Sequence, residues 1–346
     1  MLYVTTRSKL DAYTAFRTLE QNRGPDGGLF VPFRLPHLDA AQIEGLRDKS
    51  FGQCVAEALN LFFSARIDGW DVDFSIGRNP AKLVPVSHRI IIAETWHNPD
   101  WNFGRMVRNL SSTIRGSDDK RGCPSNWAWT AVRIAALFGL CGELERLGAV
   151  DLNHPVDLAV PAGDFSAPMS AWYAREMGLP IQNILCACNE NSAAWDLLHH
   201  GQMRTNAVAV PTSTPEADVG LPSDLERLIF ETLGLEETLR YCQACRKGEM
   251  YAPGEKLETL RDGIYAAVIG QARLDSIINS VYRSGTYLLG PYSALAYGGL
   301  QDYRAVTGES RTVLLLAEQS PACAKETVAK AMGITVHQLK EMTDIG

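Results

Sequence analysis

The sequence predicts an α/β fold built around a parallel β-sheet. Short apolar runs alternate with segments of helical period, and turns that contain glycine separate them. The run at 157–161 is followed by a Gly turn and by a helix that ends at Met177. The run at 184–188 is followed by a helix at 192–200. The chain has 346 residues, which is long enough for one large or two ordinary domains.

The other elements follow from the spacing of apolar residues and from turn residues. Apolar side chains at every third position predict the first helix, and a continuous apolar run predicts a buried strand at 89–93. The segment 116–122 is rich in Gly, Asp, Lys and Arg and has the composition of a linker. In chain order, we predict helix 9–23, strand 29–31, helix 51–66, a polar loop at 69–80, strand 89–93, helices 102–115 and 126–147, strand 157–161 and its helix, strand 184–188, helix 192–200, helices 223–234 and 255–283, strand 311–317 and helix 321–332.

Composition excludes several classes of protein. The net charge of −7 argues against non-specific binding to nucleic acid, which needs a basic surface. No apolar run approaches the roughly 18 residues that a membrane span requires, and nothing at the N-terminus resembles a secretion signal. Eight cysteines in a chain of this length do not form a disulfide framework. We therefore expect a cytoplasmic protein that contacts neither membrane nor nucleic acid.

One segment resembles the cofactor-binding motif of a known family. Residues 94–105 read ETWHNPDWNFGR, which is similar to the ELFHGPTLAFKD motif of threonine synthases. Glu94, His97, Pro99 and Phe103 match, but Gly104 stands where that family has the lysine that forms a Schiff base with pyridoxal phosphate (PLP). Glycine cannot supply the amine that an internal aldimine needs.

The resemblance to threonine synthases extends over most of the chain in blocks. The matching blocks are YVTTR at 3–7, GPDGGLFVP at 24–32, KLVP at 82–85, SNWA at 125–128, VPAGDFS at 160–166, GLPI at 178–181, NEN at 189–191, STPEADV at 213–219 and LERLIF at 225–230. The resemblance implies an α/β fold of the threonine-synthase-like, tryptophan synthase β-like kind (PLP fold type II). It divides the chain into an N-terminal threonine-synthase-like segment at 1–88 and an α/β core at 89–346.

The departures from the family fall at the cofactor. The gap between Arg105 and Asn126 holds only twenty residues and lacks the family's SGDTG loop, so the small domain is expected to be truncated around 106–125. The family's phosphate-binding GNFGN has become GDFSA at 163–167, and its DPHTA has become GPYSA at 290–294. A carboxylate at Asp164 would repel a phosphate that backbone N–H groups otherwise attract. We therefore expect no cofactor.

The candidate site lies where the predicted parallel strands end, because open α/β sheets bind ligands there. We predict catalytic roles for His97, Asp100 and Asp164, with the imidazole and carboxylates as acid–base groups. The predicted substrate-binding residues are Asn102, Asn126, Trp127, Ser166, Asn189, Asn191, Tyr292 and Ser293. The alternative is a collapsed pocket, in which Asp164 and Asn189 cap helices and His97 with Asp100 forms a simple turn.

Two other groups of residues can be explained either structurally or chemically. The tryptophans at 96, 101, 127 and 129 either wall an aromatic pocket or cover core that the truncated domain exposes. Cys242 and Cys245 form a CxxC, and Cys186 and Cys188 a CxC. These pairs are better explained as buried free thiols than as a zinc or redox site, so we predict no metal.

Three functions follow from these observations. The first is a PLP-independent enzyme that acts on a small amino-acid-like substrate in the old cofactor pocket. The second is a PLP-dependent lyase or replacement enzyme acting on an O-activated amino acid such as phosphohomoserine, as the resemblance alone implies. The third is a non-catalytic partner of another protein. The sequence leaves the substrate and the oligomeric state open, a homodimer included.

Overall fold

The structure is a computed structural model. It describes residues 1–64, 66–76, 81–87, 89–96, 126–285 and 287–343. Several predicted features lie outside the described residues: the helix at 102–115, the linker at 116–122, the truncation around 106–125, Trp101, Gly104, and the site residues His97, Asp100 and Asn102.

The N-terminal segment forms a small antiparallel sheet. Its strands are β1 (Leu2–Thr5), β2 (Ser8–Thr14) and β3 (Phe30–Pro32), in the order β2-β1-β3, and helix α1 (Ala15–Glu20) follows β2. The predicted helix at 9–23 is therefore wrong in its first half. Leu10, one of the residues spaced three apart, is 94% exposed, so a helix here would have no buried apolar face. The backbone of this segment instead pairs with β1.

Three helices follow: α2 (Ala40–Glu44), α3 (Phe51–Phe63) and α4 (Gly69–Ile76). Ser50 caps α3 through reciprocal hydrogen bonds with Gln53. Helix α4 corrects the predicted polar loop at 69–80. Asp68 and Asp71 each accept a hydrogen bond from the other's backbone nitrogen, at 3.0 Å in both directions, which is the reciprocal pattern that starts a helix.

A six-stranded sheet forms the centre of the molecule. Its strands are β4 (Lys82–Ser87), β5 (Ile90–Glu94), β6 (Val156–Pro161), β7 (Ile181–Cys188), β10 (Ile264–Val268) and β11 (Val313–Ala317). Strands β8 (Met203–Arg204) and β9 (Met250–Tyr251) form a separate pair. The order in the central sheet is β10-β7-β6-β11-β5-β4, and every pair except β4–β5 is parallel. The predicted α/β class with a parallel sheet is confirmed, and the predicted boundary at residue 88 falls inside the β4–β5 hairpin.

Helices cover both faces of this sheet. They are α5 (Trp127–Arg146), α6 (Ser166–Glu176), α7 (Ala193–His200), α8 (Leu225–Lys247), α9 (Leu257–Leu260), α10 (Gln271–Gly285), α11 (Pro291–Thr307), α12 (Lys325–Met332) and α13 (Val336–Thr343). One buried cluster joins α3, α5 and α6 to one face, and a second joins α10, α11 and α12 to the other. Alternate residues of β6 divide between them, since Leu158 belongs to the first cluster and Ala159 to the second.

Two predicted helices in the C-terminal half need correction. The helix at 255–283 contains strand β10, because an apolar run between Gly263 and Gly270 pairs with β7 instead of continuing a helix. The helix at 223–234 continues as α8 to Lys247 after a break at Gly234, whose backbone is not helical. Cys242 and Cys245 therefore lie within a helix and not after one. No helix of the described residues is long and apolar enough to cross a membrane.

Candidate functional site

The carboxyl ends of the parallel strands converge on one edge of the central sheet. The backbone nitrogen of Thr95, just after β5, donates to Ala317 at 3.0 Å, and that of Ala162, just after β6, donates to Ala187 at 2.8 Å. Glu94 and Thr95 are buried there. This edge is where an open α/β sheet places a ligand, and it carries Asp164, Asn189 and the neighbouring Glu318.

Asp164 occupies the loop that joins β6 to α6. Phe165 adopts a left-handed conformation with φ of 69°, which turns the chain directly into the helix. One carboxylate oxygen of Asp164 accepts hydrogen bonds from the backbone nitrogen of Ser166 at 3.0 Å and from its hydroxyl at 2.6 Å. The backbone nitrogen of Ser166, at the start of the helix, thus donates to a carboxylate of the same chain. The other carboxylate oxygen has no hydrogen-bond partner among the described residues.

Tyr292 covers the same loop from the start of α11. A Cβ atom added to Gly163 would lie 3.0 Å from the Tyr292 hydroxyl, so glycine is what allows this approach. Burial raises the pKa of Tyr292 well above its usual value, and nearby Glu318 adds to the effect while Arg133 opposes it. The hydroxyl therefore stays protonated as a hydrogen-bond donor. Within the described ranges it has no hydrogen-bond partner.

An ion pair closes the floor of this crevice. Arg133 on α5 donates to the two oxygens of Glu318, just after β11, at 2.8 and 3.1 Å. A two-point contact of this kind fixes the geometry of both side chains. Beside the pair lies a cavity of about 20 Å³, which has room for about one water molecule. Thr95, Ser170 and Leu316 also border it.

A second buried pair lies behind Asp164. The backbone nitrogen of Asp224 donates to the carbonyl of Asp164 at 3.2 Å, and Arg227 donates to the Asp224 carboxylate. Both side chains are fully buried. Burial raises the pKa of Asp224 to about 6, although the charge of Arg227 acts in the opposite direction. Arg227 also donates to the carbonyl of Phe30 at 3.2 Å, so it ties the N-terminal sheet to the edge of the central one.

Asn189 and Asn191 anchor a long loop at the end of β7. The Asn189 amide donates to Thr212, Thr214 and Asp218 at 2.7–2.9 Å. The Asn191 side chain accepts from the backbone nitrogen of Val210 at 2.7 Å and donates to its carbonyl at 2.9 Å. Both side chains are buried and fully engaged, so in this structure they hold the loop in place.

Asn126 and Trp127 start helix α5. The Asn126 side chain accepts from the backbone nitrogen of Ala128 at 2.8 Å and caps the helix. Trp127 has no exposed surface and packs edge-on against Tyr3, Phe62 and Tyr173. Trp127 is therefore part of the hydrophobic core.

A wider groove of about 390 Å³ lies beside helix α7, outside the crevice. Its lining includes Glu190, Asn191, Asp196, His200 and Arg204. Of the predicted site residues, Asn191 lines this groove. Sequence patterns did not bring its other residues together, because they come from a helix, a two-residue strand and nearby loops.

The cysteines and the other titratable groups form no metal centre in the described part of the chain. No group of three His, Cys, Asp or Glu side chains there is arranged to hold an ion. Cys242 is buried, and burial raises the pKa of its thiol to about 11. A thiol of this kind is a poor nucleophile at neutral pH.

The structure thus brings Asp164, Ser166, Tyr292 and the buried Ser293 together at one edge. The sequence did not identify Arg133 or Glu318. Glu318 directly follows a strand that was predicted correctly, so the sequence could have placed it at this edge. Arg133 lies within a strongly apolar helix, and only the fold brings it to Glu318.

Comparisons with known proteins agree with this architecture. The family described as Threonine synthase N terminus matches residues 2–77. Threonine synthase-like 1 from Macaca fascicularis is 29% identical over 176 residues, which is 49% of this chain and 24% of that protein. Threonine synthase from Pseudomonas aeruginosa is 27% identical over 214 residues, or 60% of this chain and 43% of that protein. The match therefore spans less than half the length of these relatives.

The fold is shared more widely than the sequence. A PLP-bound threonine synthase from Brucella melitensis superposes with a TM-score of 0.83 at 20% identity, covering 96% of this chain and 92% of that one. Threonine synthase from yeast superposes with a TM-score of 0.82 at 17% identity, covering 99% and 94%. The N-terminal match, the sequence relatives and the common fold support a relationship between this chain and threonine synthases.

Proposed function

We propose that this protein is a threonine-synthase-like enzyme that works without PLP and takes a small amino-acid-like substrate at the strand-end crevice. The observation that carries the proposal is the hydrogen bonding of Asp164, whose carboxylate accepts from the backbone nitrogen of Ser166 at the start of α6. In a phosphate-binding loop, donors at a helix N-terminus serve the ligand's phosphate. Here an internal carboxylate takes that place.

The described residues do not fit PLP. The negative charge of Asp164 opposes a phosphate at the loop, and the Tyr292 hydroxyl lies close to Gly163, 3.0 Å from where a Cβ atom would be. In the sequence, Gly104 replaces the lysine that a Schiff base requires. The PLP-dependent alternative rests on the relatives, one of which is a PLP-bound threonine synthase, and the binding experiment below addresses it.

The charges around the crevice favour a ligand with an ammonium group. The carboxylates of Asp164, Glu216 and Glu318 all act on Tyr292, whereas Arg133 is the one guanidinium that does so among its main influences. Arg133 is also neutralised by its two-point contact with Glu318. In the proposal, the free oxygen of Asp164 accepts from the ligand's ammonium, and the protonated Tyr292 hydroxyl donates to a ligand oxygen. His97 and Asp100 remain the proposed acid–base residues together with Asp164.

Calorimetric titration tests this proposal with L-threonine and O-phospho-L-homoserine as probes. We expect the unphosphorylated amino acid to bind and the phosphorylated one to bind more weakly, because the loop repels phosphate. Tyr292→Phe should weaken the binding of threonine roughly threefold to tenfold, the effect of one lost hydrogen bond. Tyr297→Phe, on the same helix, is the matched control and should bind as the wild type does. Tighter binding of the phosphorylated compound would contradict the proposal.

The small volume of the cavity at the crevice floor favours a second function, that of a non-catalytic partner protein. The Arg133–Glu318 pair leaves a cavity of only about 20 Å³ beside it, which suits a non-catalytic partner protein better than an enzyme. The same titration separates the two proposals. If neither amino acid binds, the non-catalytic role is the better explanation.

A further inference from the structure

The groove beside helix α7 has the form of a separate ligand site. Ser192, Asp196 and His200 are spaced four residues apart, so they follow one face of the helix and line the groove along its length. Eight helical residues rise about 12 Å. The volume of about 390 Å³ falls in the range of small-molecule sites, roughly 300–1,000 Å³.

The lining of the groove carries both signs of charge. Asp196 lies in the first turn of the helix, and one of its carboxylate oxygens accepts a hydrogen bond from the Ser192 hydroxyl at 3.1 Å. Glu190 precedes the helix, but its carboxylate already accepts a hydrogen bond from the backbone nitrogen of Gln271 at 2.9 Å. Arg204, on strand β8, also lines the groove, and its guanidinium has no ion pair or hydrogen bond to any of the residues that the structure describes. A molecule lying in the groove meets the Asp196 carboxylate and an available guanidinium.

The wall of the groove is apolar and unusually exposed. Val208 is 85% exposed, Val210 56% and Met250 51%, and all three line the groove. Several large apolar side chains grouped on one surface indicate a contact with a partner molecule more often than they occur by chance. They would pack against an apolar side chain of the ligand.

The groove is also held open by the protein itself. Gly220 packs so closely on the loop that a Cβ atom would collide with the carbonyl of Ala207. Two hydrogen bonds between Asn191 and the backbone of Val210 fix the same loop from inside. A preformed site costs less conformational entropy when a ligand binds.

We propose that this groove binds a short zwitterionic peptide of about dipeptide size. The ammonium group would lie against Asp196, the carboxylate against Arg204, and an apolar side chain against Val208 and Met250. A single small amino acid would leave much of the volume unfilled. The site is distinct from the crevice at Asp164, and its occupation does not depend on the function proposed for that crevice.

Calorimetric titration of the full chain with the dipeptide Ala-Leu tests the proposal. The wild type should bind it, and Arg204→Gln should bind it at least tenfold more weakly, since a charge-assisted contact is lost. Arg246→Gln removes another exposed arginine, at the end of α8, and should bind as the wild type does. Dipeptides with a blocked amino group or an amidated carboxyl group should each bind more weakly than the free dipeptide.

Thermal unfolding of Arg204→Gln checks that the variant is folded, which its exposed position leads us to expect. The proposal is overturned if Ala-Leu does not bind the wild type, or if Arg204→Gln binds it equally well. It is also overturned if the blocked dipeptides bind as tightly as the free one. Loss of binding in Tyr292→Phe would place the dipeptide in the crevice and would equally contradict the proposal.

Discussion

At the scale of single residues, burial decides which charged groups are chemically unusual. Glu231 on α8 accepts a hydrogen bond from the hydroxyl of Tyr173 at 2.8 Å. Burial nevertheless raises the pKa of Glu231 to about 7, because one hydrogen bond replaces only part of the hydration that the carboxylate loses. In the sequence, Glu231 follows Phe230 in an apolar stretch, and nothing there indicates a raised pKa.

The raised pKa of Glu231 makes stability depend on pH. Between pH 4.5 and about 7 the folded chain holds a proton that the unfolded chain releases, so stability falls as the pH rises through this window. Glu231→Gln keeps an acceptor for Tyr173 without the charge. We expect the variant to match the wild type at pH 5 and to exceed it at pH 8 by about 1–2 kcal/mol.

Urea unfolding at the two pH values measures this difference. Glu236→Gln is the matched control, because Glu236 lies on the same helix with its side chain exposed, and it should follow the wild type at both values. A Glu231→Gln variant that is less stable than the wild type at pH 8 would show that the carboxylate is stabilising when ionised.

At the scale of elements, the sequence predicted the helices and strands that have a strong pattern of buried apolar residues. It missed the strands that form only through pairing with another strand. Helices α3 and α5 and strands β6 and β7 lie where their patterns placed them. Strand β2 was taken for a helix because its apolar residues recur at every third position, although its pairing partner β1 lies only a few residues before it. Strand β10 was taken for a helix because its parallel partner β7 lies about eighty residues earlier, outside any local window.

The break in α8 depends on one glycine. Gly234 has φ of 84° and ψ of −179°, a conformation that only glycine adopts without strain. A Cβ atom there meets nothing within 4 Å, so the cost of Gly234→Ala is purely conformational, and we expect a loss of about 2–3 kcal/mol in the free energy of unfolding.

Gly308, at the end of α11, is the control for this prediction. It is also open around its Cβ position, but its φ of 70° and ψ of 3° are those of a left-handed helix cap. Gly308→Ala should therefore cost only about 1 kcal/mol. Chemical denaturation of both variants makes the comparison, and equal losses would contradict a special conformation at Gly234.

At the scale of the whole molecule, the resemblance to threonine synthases and the fold class were predictable because matching blocks are spread along the chain and strands alternate with helices. Asp164, Ser166 and Tyr292 lie at the same strand-end edge. The pairing of Arg133 with Glu318 was not predictable, because it depends on helix packing that no motif encodes. The polar side chains of Asn189 and Asn191 hold a loop, because buried amides need partners whether or not a ligand is present.

The central proposal is that this threonine-synthase-like chain holds no PLP, and covalent trapping tests it most directly. The purified protein is incubated with PLP, reduced with borohydride, digested and analysed by mass spectrometry, with a PLP-dependent threonine synthase treated in parallel. The account predicts no aldimine absorption band before reduction and no pyridoxyl adduct on any lysine of this chain, while the control carries one. A stoichiometric adduct on a single lysine would contradict it.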